Sequence, residues 1–571
     1  MYSGNRLVEL LEKQHEKRSQ QSEKYQGLFK KGTFTLQWRA KVGSFPHPDA
    51  ETIVSAGEPC GAWKVSNGRP EDKRNVGENL NLLSILPLNG YIPGSSIRGL
   101  VRNWAKQRPE IKPKMLKILG FQDSENITPG KIEFLDAWPE EATQLTLDIV
   151  NPQEPFQVYH QGQSKPLSFY TLGNGEEPIN VTVAIRGIPG KATEAEVQEV
   201  WEWVQQALNL YGVGSRTASG YGAIKTKDKL KVNPDPDSTS KRFDFTLYSQ
   251  GSYGVDPQQD LDLRPSHWRG WLRSWILRFL LGVMSEDHAK LTLAELMGIL
   301  EPNSRKGCVR SEMIKTQKVK VSENSPSFYV WKGKLTLSAP NEILNEIILP
   351  IVKFAVTVGG VGRGWRRPLH IFRNDRNFEA ARGTHLILTQ KLKKKGTDEL
   401  KDVPYHLSPS NDWKKTYEDW RNAVQKRWSN RVISGYNNPI AEVFSPESCA
   451  VYAVPGPNDE PLELIDIEWQ ETNPLNTRGD GVDLIYQPTY KRKIDVGGNA
   501  AGGGNAHCSW VSIKRVNIPN QQENTNCQEI VCLFMGGQRP GSTHLRSQFL
   551  NDLAQISGAV HLFGMQPTEQ E

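Results

Sequence analysis

The stretch Tyr91-Ile-Pro-Gly-Ser-Ser-Ile-Arg-Gly-Leu-Val-Arg-Asn-Trp-Ala105 decides how this chain is read. Pro93 and Gly94 break the preceding strand, and Ser95 or Ser96 can cap a helix that begins there. Arg98 and Arg102 are four apart and share one face of that helix. A second stretch has the same design: Arg264-Pro-Ser-His-Trp-Arg-Gly-Trp-Leu-Arg-Ser-Trp275. Arg98-Gly99 aligns with Arg269-Gly270, Arg102 with Arg273 and Trp104 with Trp275, at a constant offset of 171 residues. An internal duplication therefore organises the chain.

The flanks repeat as well. Phe34–Val42 and Phe243–Tyr248 alternate apolar and polar residues, which predicts a strand before each Arg helix. Downstream, the helical stretches Glu194–Tyr211 and Glu342–Val358 run into Gly212-Val-Gly-Ser-Arg-Thr-Ala-Ser-Gly-Tyr-Gly222 and Gly359-Gly-Val-Gly-Arg-Gly-Trp-Arg-Arg-Pro368. Each half then reads β-α-β-β-α-β with insertions. The expected fold class is α+β, with two tandem RRM-like (ferredoxin-like) units. Residues 1–31 form an N-terminal helical arm, and 32–230 the first unit, with a long loop at 43–87. Residues 231–242 are a linker, and 243–571 the second unit with a large C-terminal insertion or extension. That extension carries a helix at Trp413–Arg431, a glycine-rich stretch from Gly497 and a last helix near Leu545–Ser557, and no motif assigns it.

The chain has 571 residues, a formal charge of +6 and 37 % hydrophobic residues. Such a charge excludes a histone-like protein but permits local basic surfaces. No apolar run reaches the length of a bilayer span, and the N-terminus lacks an apolar signal region. Six scattered cysteines without a C-x-x-C pair exclude zinc-knuckle spacing and are expected of a cytoplasmic protein.

The duplicated features point to RNA. Helix N-termini favour phosphate, and Arg98, Arg102, Arg269 and Arg273 add bidentate donors near Ser95 and Ser96. The bland alternative is pairing with carboxylates of neighbouring strands. The first glycine loop has no Lys-Ser/Thr and follows a helix, so it is neither a P-loop nor a dinucleotide fingerprint. Its Gly212 and Gly214 let backbone N–H groups approach a sugar-phosphate chain, while Arg216 and Tyr221 add charge and a stacking face. The second loop offers Gly360, Gly362, Arg363, Trp365, Arg366 and Arg367, a mixture suited to single-stranded nucleic acid. Loop residues His47, Asp49, Asp256 and Asp260 are candidates for orienting a 2′-OH or holding a divalent ion, though Asp beside Pro also serves turns. His267 can act as a base, a cap or a stacking group.

The Tyr91–Arg102 phrase resembles the hallmark of the RAMP (repeat-associated mysterious protein) superfamily, as does a glycine loop after the last helix of each unit. The whole chain is similar to two backbone subunits of a type III CRISPR effector fused in one polypeptide, as in type III-D-like complexes. The resemblance implies RRM-like units that hold guide CRISPR RNA and a thumb hairpin, here the 43–87 loop. It also implies cleavage of target RNA by a loop Asp (Asp49, Asp256) with Mg or Mn. The implied partners are guide RNA, target RNA, a large polymerase/cyclase-like subunit, and other backbone and small subunits, with no membrane. The alternatives are a non-catalytic RNA-binding scaffold, a metal-independent guide-processing endoribonuclease using His47 or His267, and an interaction protein without RNA.

Overall fold

The computed structural model describes residues 5–42, 91–123, 126–140, 145–150, 167–227, 230–251, 262–299, 303–322, 328–373, 379–393, 397–433, 442–460, 473–499, 507–518, 526–536 and 545–567, with short strand pairs inside 43–90. The chain divides into two compact units. Residues 1–152, 164–238 and 253–265 make the first; 153–163, 239–252 and 266–571 make the second.

The first unit begins with helix α1 (Asn5–Gln21) and strand β1 (Phe29–Leu36). Helices α2 (Gly94–Lys106) and α3 (Lys112–Leu119) follow, then β2 (Ile132–Phe134) and a hairpin of β3 (Leu145–Val150) and β4 (Leu167–Leu172). The unit ends with β5 (Ile179–Gly187), α4 (Glu194–Tyr211) and β6 (Ile224–Thr226). The antiparallel sheet runs β6-β1-β5-β2. Without the inserted hairpin, its strands stand in the order four-one-three-two. β1 starts earlier than its alternation predicts, because Phe29–Gly32 pair with Arg186–Val183. Phe34 and Leu36 face a core completed by Ile97, Val101 and Trp104 of α2 and Val200, Trp201 and Val204 of α4. A capping box fixes the start of α4: Thr193 accepts from the Glu196 N–H, and the Glu196 carboxylate accepts from the Thr193 N–H. The opposite sheet face is covered by α1, whose Val8 packs with Leu135 and Ala184.

The second unit holds two more sheets. The first of these is built from β7 (Ser238–Ser249), α5 (Pro265–Leu280), α6 (Glu286–Met297), β8 (Arg310–Ser322), β9 (Phe328–Pro340) and α7 (Leu349–Val358). It continues through a small hairpin, β10 (His370–Arg373) and β11 (Glu379–Arg382), to β12 (His385–Lys393) and β13 (Leu400–Pro404). Its order is β8-β9-β7-β12-β13, again four-one-three-two with one added edge strand. β7 begins at Ser238, inside the expected linker. After helix α8 (Trp413–Arg427) the tail forms β14 (Cys449–Pro455), α9 (Asp480–Tyr486), β15 (Val511–Ile518), β16 (Asn526–Phe534), α10 (Leu545–Ala554) and β17 (Val560–Gly564). This sheet runs β15-β16-β14-β17 with antiparallel pairs throughout. The stretch that no motif assigns is thus a third β-α-β-β-α-β arrangement with the same strand order.

Both faces of the third sheet are buried. One packs Tyr452, Ile513 and Val531 against Val482 and Ile485 of α9 and Phe549 and Leu553 of α10. The other lies on α7: Ser512 Oγ donates to Val358 O at 2.6 Å, and the Phe354 and Phe563 rings are 6.0 Å apart. This explains the apolar run of α7, of which only Pro350 and Lys353 escape full burial. No described helix is long and apolar enough to cross a membrane.

Candidate nucleic-acid interface

Helix α2 starts without help from its serines. Its N-cap is Pro93, and the free Gly94 N–H donates to Asp136 Oδ1 at 2.8 Å. Ser95 is exposed and Ser96 half-buried in the first turn. Gly94 is obligatory, because a Cβ there would stand 2.1 Å from Phe134 O. Two turns later the arginines clasp the end of the next helix. Arg98 Nη2 donates to Leu119 O at 2.6 Å, and Arg102 Nη1 to Leu119 O at 3.1 Å and Gly120 O at 2.5 Å. The second copy repeats this: Arg269 donates to Met297 O, and Arg273 Nη1 to Gly298 O at 3.2 Å. In each copy the last carbonyls of a helix, which lack an intrahelical partner, are satisfied by guanidinium groups. Within the described protein the partners are therefore main-chain carbonyls and not the strand carboxylates of the bland alternative. Burial, and then the neighbouring Arg273, pull Arg269 down to about 10. Arg98 remains exposed, with its other donors in water.

Between each pair of arginines stands a glycine with nothing above it. No described atom lies within 4 Å of the position a Cβ would take on Gly99 or Gly270. The sequence marked these glycines only as part of the repeat.

The first glycine loop is laced to the segment after β1. Ser215 N donates to Lys41 O at 2.9 Å, Gly222 N to Arg39 O at 2.7 Å and Val213 N to Gly222 O at 2.8 Å. Gly212 and Gly214 have positive φ, and Arg216 adopts the left-handed conformation at φ 57°. Gly214, Ser215 and Ala218 face solvent, and Arg216 is half-buried. Tyr221 corrects the expectation of a stacking face, since it is 1 % exposed. Its hydroxyl donates to Asp148 Oδ2 at 2.6 Å, and its ring packs on Trp38 with centroids 4.8 Å apart. Asp148, fully buried, also meets Arg264 Nη1 at 2.8 Å. Burial and the Asp148 charge push the Tyr221 hydroxyl well above its ordinary value. Burial opposes the Arg264 charge, but Asp148, Tyr221 and Asp262 outweigh it and hold Arg264 above its ordinary value. Asp148 belongs to no motif, and Arg264 opens the second Arg-helix stretch; only the fold brings the two together.

The second glycine loop is divided. Its tip, Arg363 and Gly364, is exposed, and a Cβ on Gly362 would lie 3.9 Å from His267 Nδ1 and Ser249 Oγ. His267 is half-buried in the first turn of α5, and Gly360 is packed against Thr384. The root of the loop is structural, which corrects the expectation for Arg366 and Arg367. Arg366 Nη2 meets Glu442 Oε1 at 2.5 Å, while Arg278 Nη2 holds the other Glu442 oxygen at 2.5 Å. Arg367 donates to Val511 O at 2.6 Å and Ser509 Oγ at 2.9 Å, and Ile513 N donates to Arg366 O at 3.0 Å. Edge strand β15 of the third sheet thus uses these arginines and their backbone to cover itself. Trp365 lies against the guanidinium of Arg366, 4.5 Å from its ring centroid.

Asp49, Asp256, Asp260 and His47, with most of the 43–87 loop, lie outside the described residues. Among the described residues no group of three His, Cys, Asp or Glu side chains could hold a metal ion. The β3–β4 hairpin is an insertion into the expected β-α-β-β-α-β order, and the alternation in Leu145–Val150 signals it.

Residues 89–225, running from just before α2 into β6, match the family model of the RAMP superfamily. This stretch is a RAMP superfamily domain. It holds the Arg clasp, the glycine loop and strands β2 and β5 of the first unit, while β1 lies ahead of it. No curated protein sequence matches the chain. Among solved structures, the chain is similar to a chain of a type III-B Cmr-beta complex bound to cognate target RNA, at 15% identity and TM-score 0.25. That match covers 40% of this chain and 66% of that chain. Cmr1 from Pyrococcus furiosus, in its apo form, matches at 11% identity and TM-score 0.31, covering 57% of this chain and 99% of that one. Cmr6 from Pyrococcus furiosus matches at 18% identity and TM-score 0.20, covering 36% and 99% respectively.

Proposed function

We propose that this protein is an RNA-binding, backbone-type subunit of a type III CRISPR effector, holding guide RNA at each of its duplicated Arg helices. The observation that carries the reading is the pair of bare helical glycines. Glycine inside a helix costs about 0.5–1 kcal/mol relative to alanine. No described neighbour accounts for it at Gly99 or Gly270, whereas a sugar-phosphate backbone passing close to the helix would. The exposed Arg98 supplies charge on that helix, and the exposed Gly214, Ser215 and Ala218 leave the first glycine loop open to a close approach, in a stretch that matches the RAMP superfamily. Arg102, Arg269 and Arg273 position the helix rather than the RNA.

The test is copurification. Expressed with a CRISPR array, the wild-type chain should carry repeat-derived RNA of uniform length, and Gly99→Val with Arg216→Glu should lose most of it. RNA of random length, or full retention by the double variant, would count against the reading. Cleavage of target RNA with Mg or Mn, assisted by Asp49 and Asp256, goes with this proposal and is tested separately. Changing both to Ala in the assembled complex should abolish target products while guide RNA is retained.

A further inference from the structure

The three sheets share a strand order but differ in what covers the face away from their own helices. In the first sheet that face carries α1, and in the third it lies on α7. In the second sheet no described helix covers it. Inward residues Phe243, Phe245 and Leu247 of β7 and Trp331, Leu335 and Leu337 of β9 are buried, so the outward set is Arg242, Asp244 and Thr246 with Lys332, Lys334, Thr336 and Ser338. On β12, Thr389 pairs with Asp244, which puts Lys391 two residues further along the same face. Among the described residues only the end near Tyr248 is closed, by the β10–β11 hairpin.

Two features shape the open part. A bulge between Lys315 and Gln317 turns the extra residue, Thr316, outward. Opposite it stands Gly333, where a Cβ would lie 2.3 Å from Ile314 O. Together they leave a groove of about 220 Å³ lined by Thr246, Thr316, Thr389, Lys332, Lys334 and Asp244. Several cations elsewhere among the described residues are neutralised. Lysines 31, 114, 131, 290, 393 and 415 each pair with a carboxylate. Arg242, Lys332, Lys334 and Lys391 are exposed and make no side-chain hydrogen bond or ion pair among the described residues. Lys332 and Lys334 stand about 7 Å apart along one strand.

We propose that this open face of the second sheet binds single-stranded RNA through its sugar-phosphate backbone, at a site separate from the glycine loops. Unpaired ammonium groups at strand spacing recognise successive phosphates, and the threonine hydroxyls and Asp244 offer partners to ribose hydroxyls. Among the described residues lining the groove the one aromatic ring, Phe245, is buried, so contact is to the backbone and independent of sequence. A shallow groove between neighbouring strands admits one strand and not a duplex.

The experiment uses the full chain and a fluorescein-labelled 20-nucleotide oligouridine, read by anisotropy between 50 and 200 mM salt. Lys332→Glu with Lys334→Glu should weaken binding at least fivefold and flatten the salt dependence, whereas Lys414→Glu with Lys426→Glu on α8 should not. A smaller loss, an equal loss in the α8 control, or no binding by the wild type overturns the proposal. If the strand variant fails to fold, photocrosslinking of 4-thiouridine RNA to the wild type decides. Crosslinks within 310–340 or 385–404 support the site, and crosslinks confined to other segments overturn it. Arg216→Glu reports on the glycine-loop reading alone, so the two can fail independently.

Discussion

At the scale of single residues, glycine and arginine say different things in this chain. Gly94 and Gly333 are required by carbonyl oxygens within 2.3 Å of where a Cβ would be. Gly99 and Gly270 meet no such obstacle, and this separates a packing glycine from one that faces a ligand. Gly99→Ala and Gly270→Ala should therefore each raise stability by about 0.5–1 kcal/mol, seen as a higher denaturation midpoint, while weakening RNA binding. A variant less stable than wild type would reveal a neighbour that makes glycine necessary. The arginines show the limit of a local pattern. The sequence places Arg98 and Arg102 on one helical face, and that much holds. It does not say that the nearest acceptors are Leu119 O and Gly120 O. Tyr221 reads as an aromatic beside glycines, yet its hydroxyl is committed to Asp148, 73 residues away.

At the scale of elements, the repeated device is a clasp: the Arg helix holds the C-terminal carbonyls of the helix that follows it. Each hydrogen bond from a charged donor contributes about 1.5–3 kcal/mol, and an abandoned buried carbonyl costs about 1–3 kcal/mol. Arg273→Ala should cost about 2 kcal/mol in a denaturant titration, and Arg102→Ala about the same, because both remove donors from a helix end. Arg273→Lys should recover only part of the loss, because an ammonium lacks the planar fork. An unchanged midpoint for both alanine variants would show that the clasp is ornamental. Most of these elements are legible in the sequence. Glu194–Tyr211 is bounded by its capping box on one side and Gly212 on the other, and the helix has those limits. The start of β1 is not legible, because Phe29–Gly32 are recruited by β5 and not by their own alternation.

At the scale of the whole molecule, the second unit buries ionisable groups between its two sheets. Burial, chiefly, lowers His370 to about 3, with Pro368 O opposing and Arg515, Arg478 and Arg382 adding to it. His385 and His406 are lowered in the same direction, also first by burial. Burial brings Lys514 down to about 7, with Glu460 opposing and Arg515 reinforcing. In every case the unfolded chain takes up a proton that the folded chain refuses. For His370 the stability is complete above pH 6.5 and is lost as pH falls towards 3; for Lys514 stability rises with pH from 7 to 10.5. Thermal midpoints should therefore fall by several degrees between pH 7 and 4, and His370→Gln should flatten that slope. A flat profile for the wild type would mean that these groups are solvated. The sequence by itself determined the duplication, the α+β class and the Arg-Gly helices, because proline, glycine and apolar period act over a few residues. Only the tertiary structure decided that a third four-one-three-two sheet follows, since it repeats neither the Arg helix nor the glycine loop. Only the tertiary structure, too, decided which cations meet solvent. Arg367 is claimed by Val511, 144 residues on, while Lys332 and Lys334 are left free on an open face, because the pairing of a long side chain depends on what the fold lays over it.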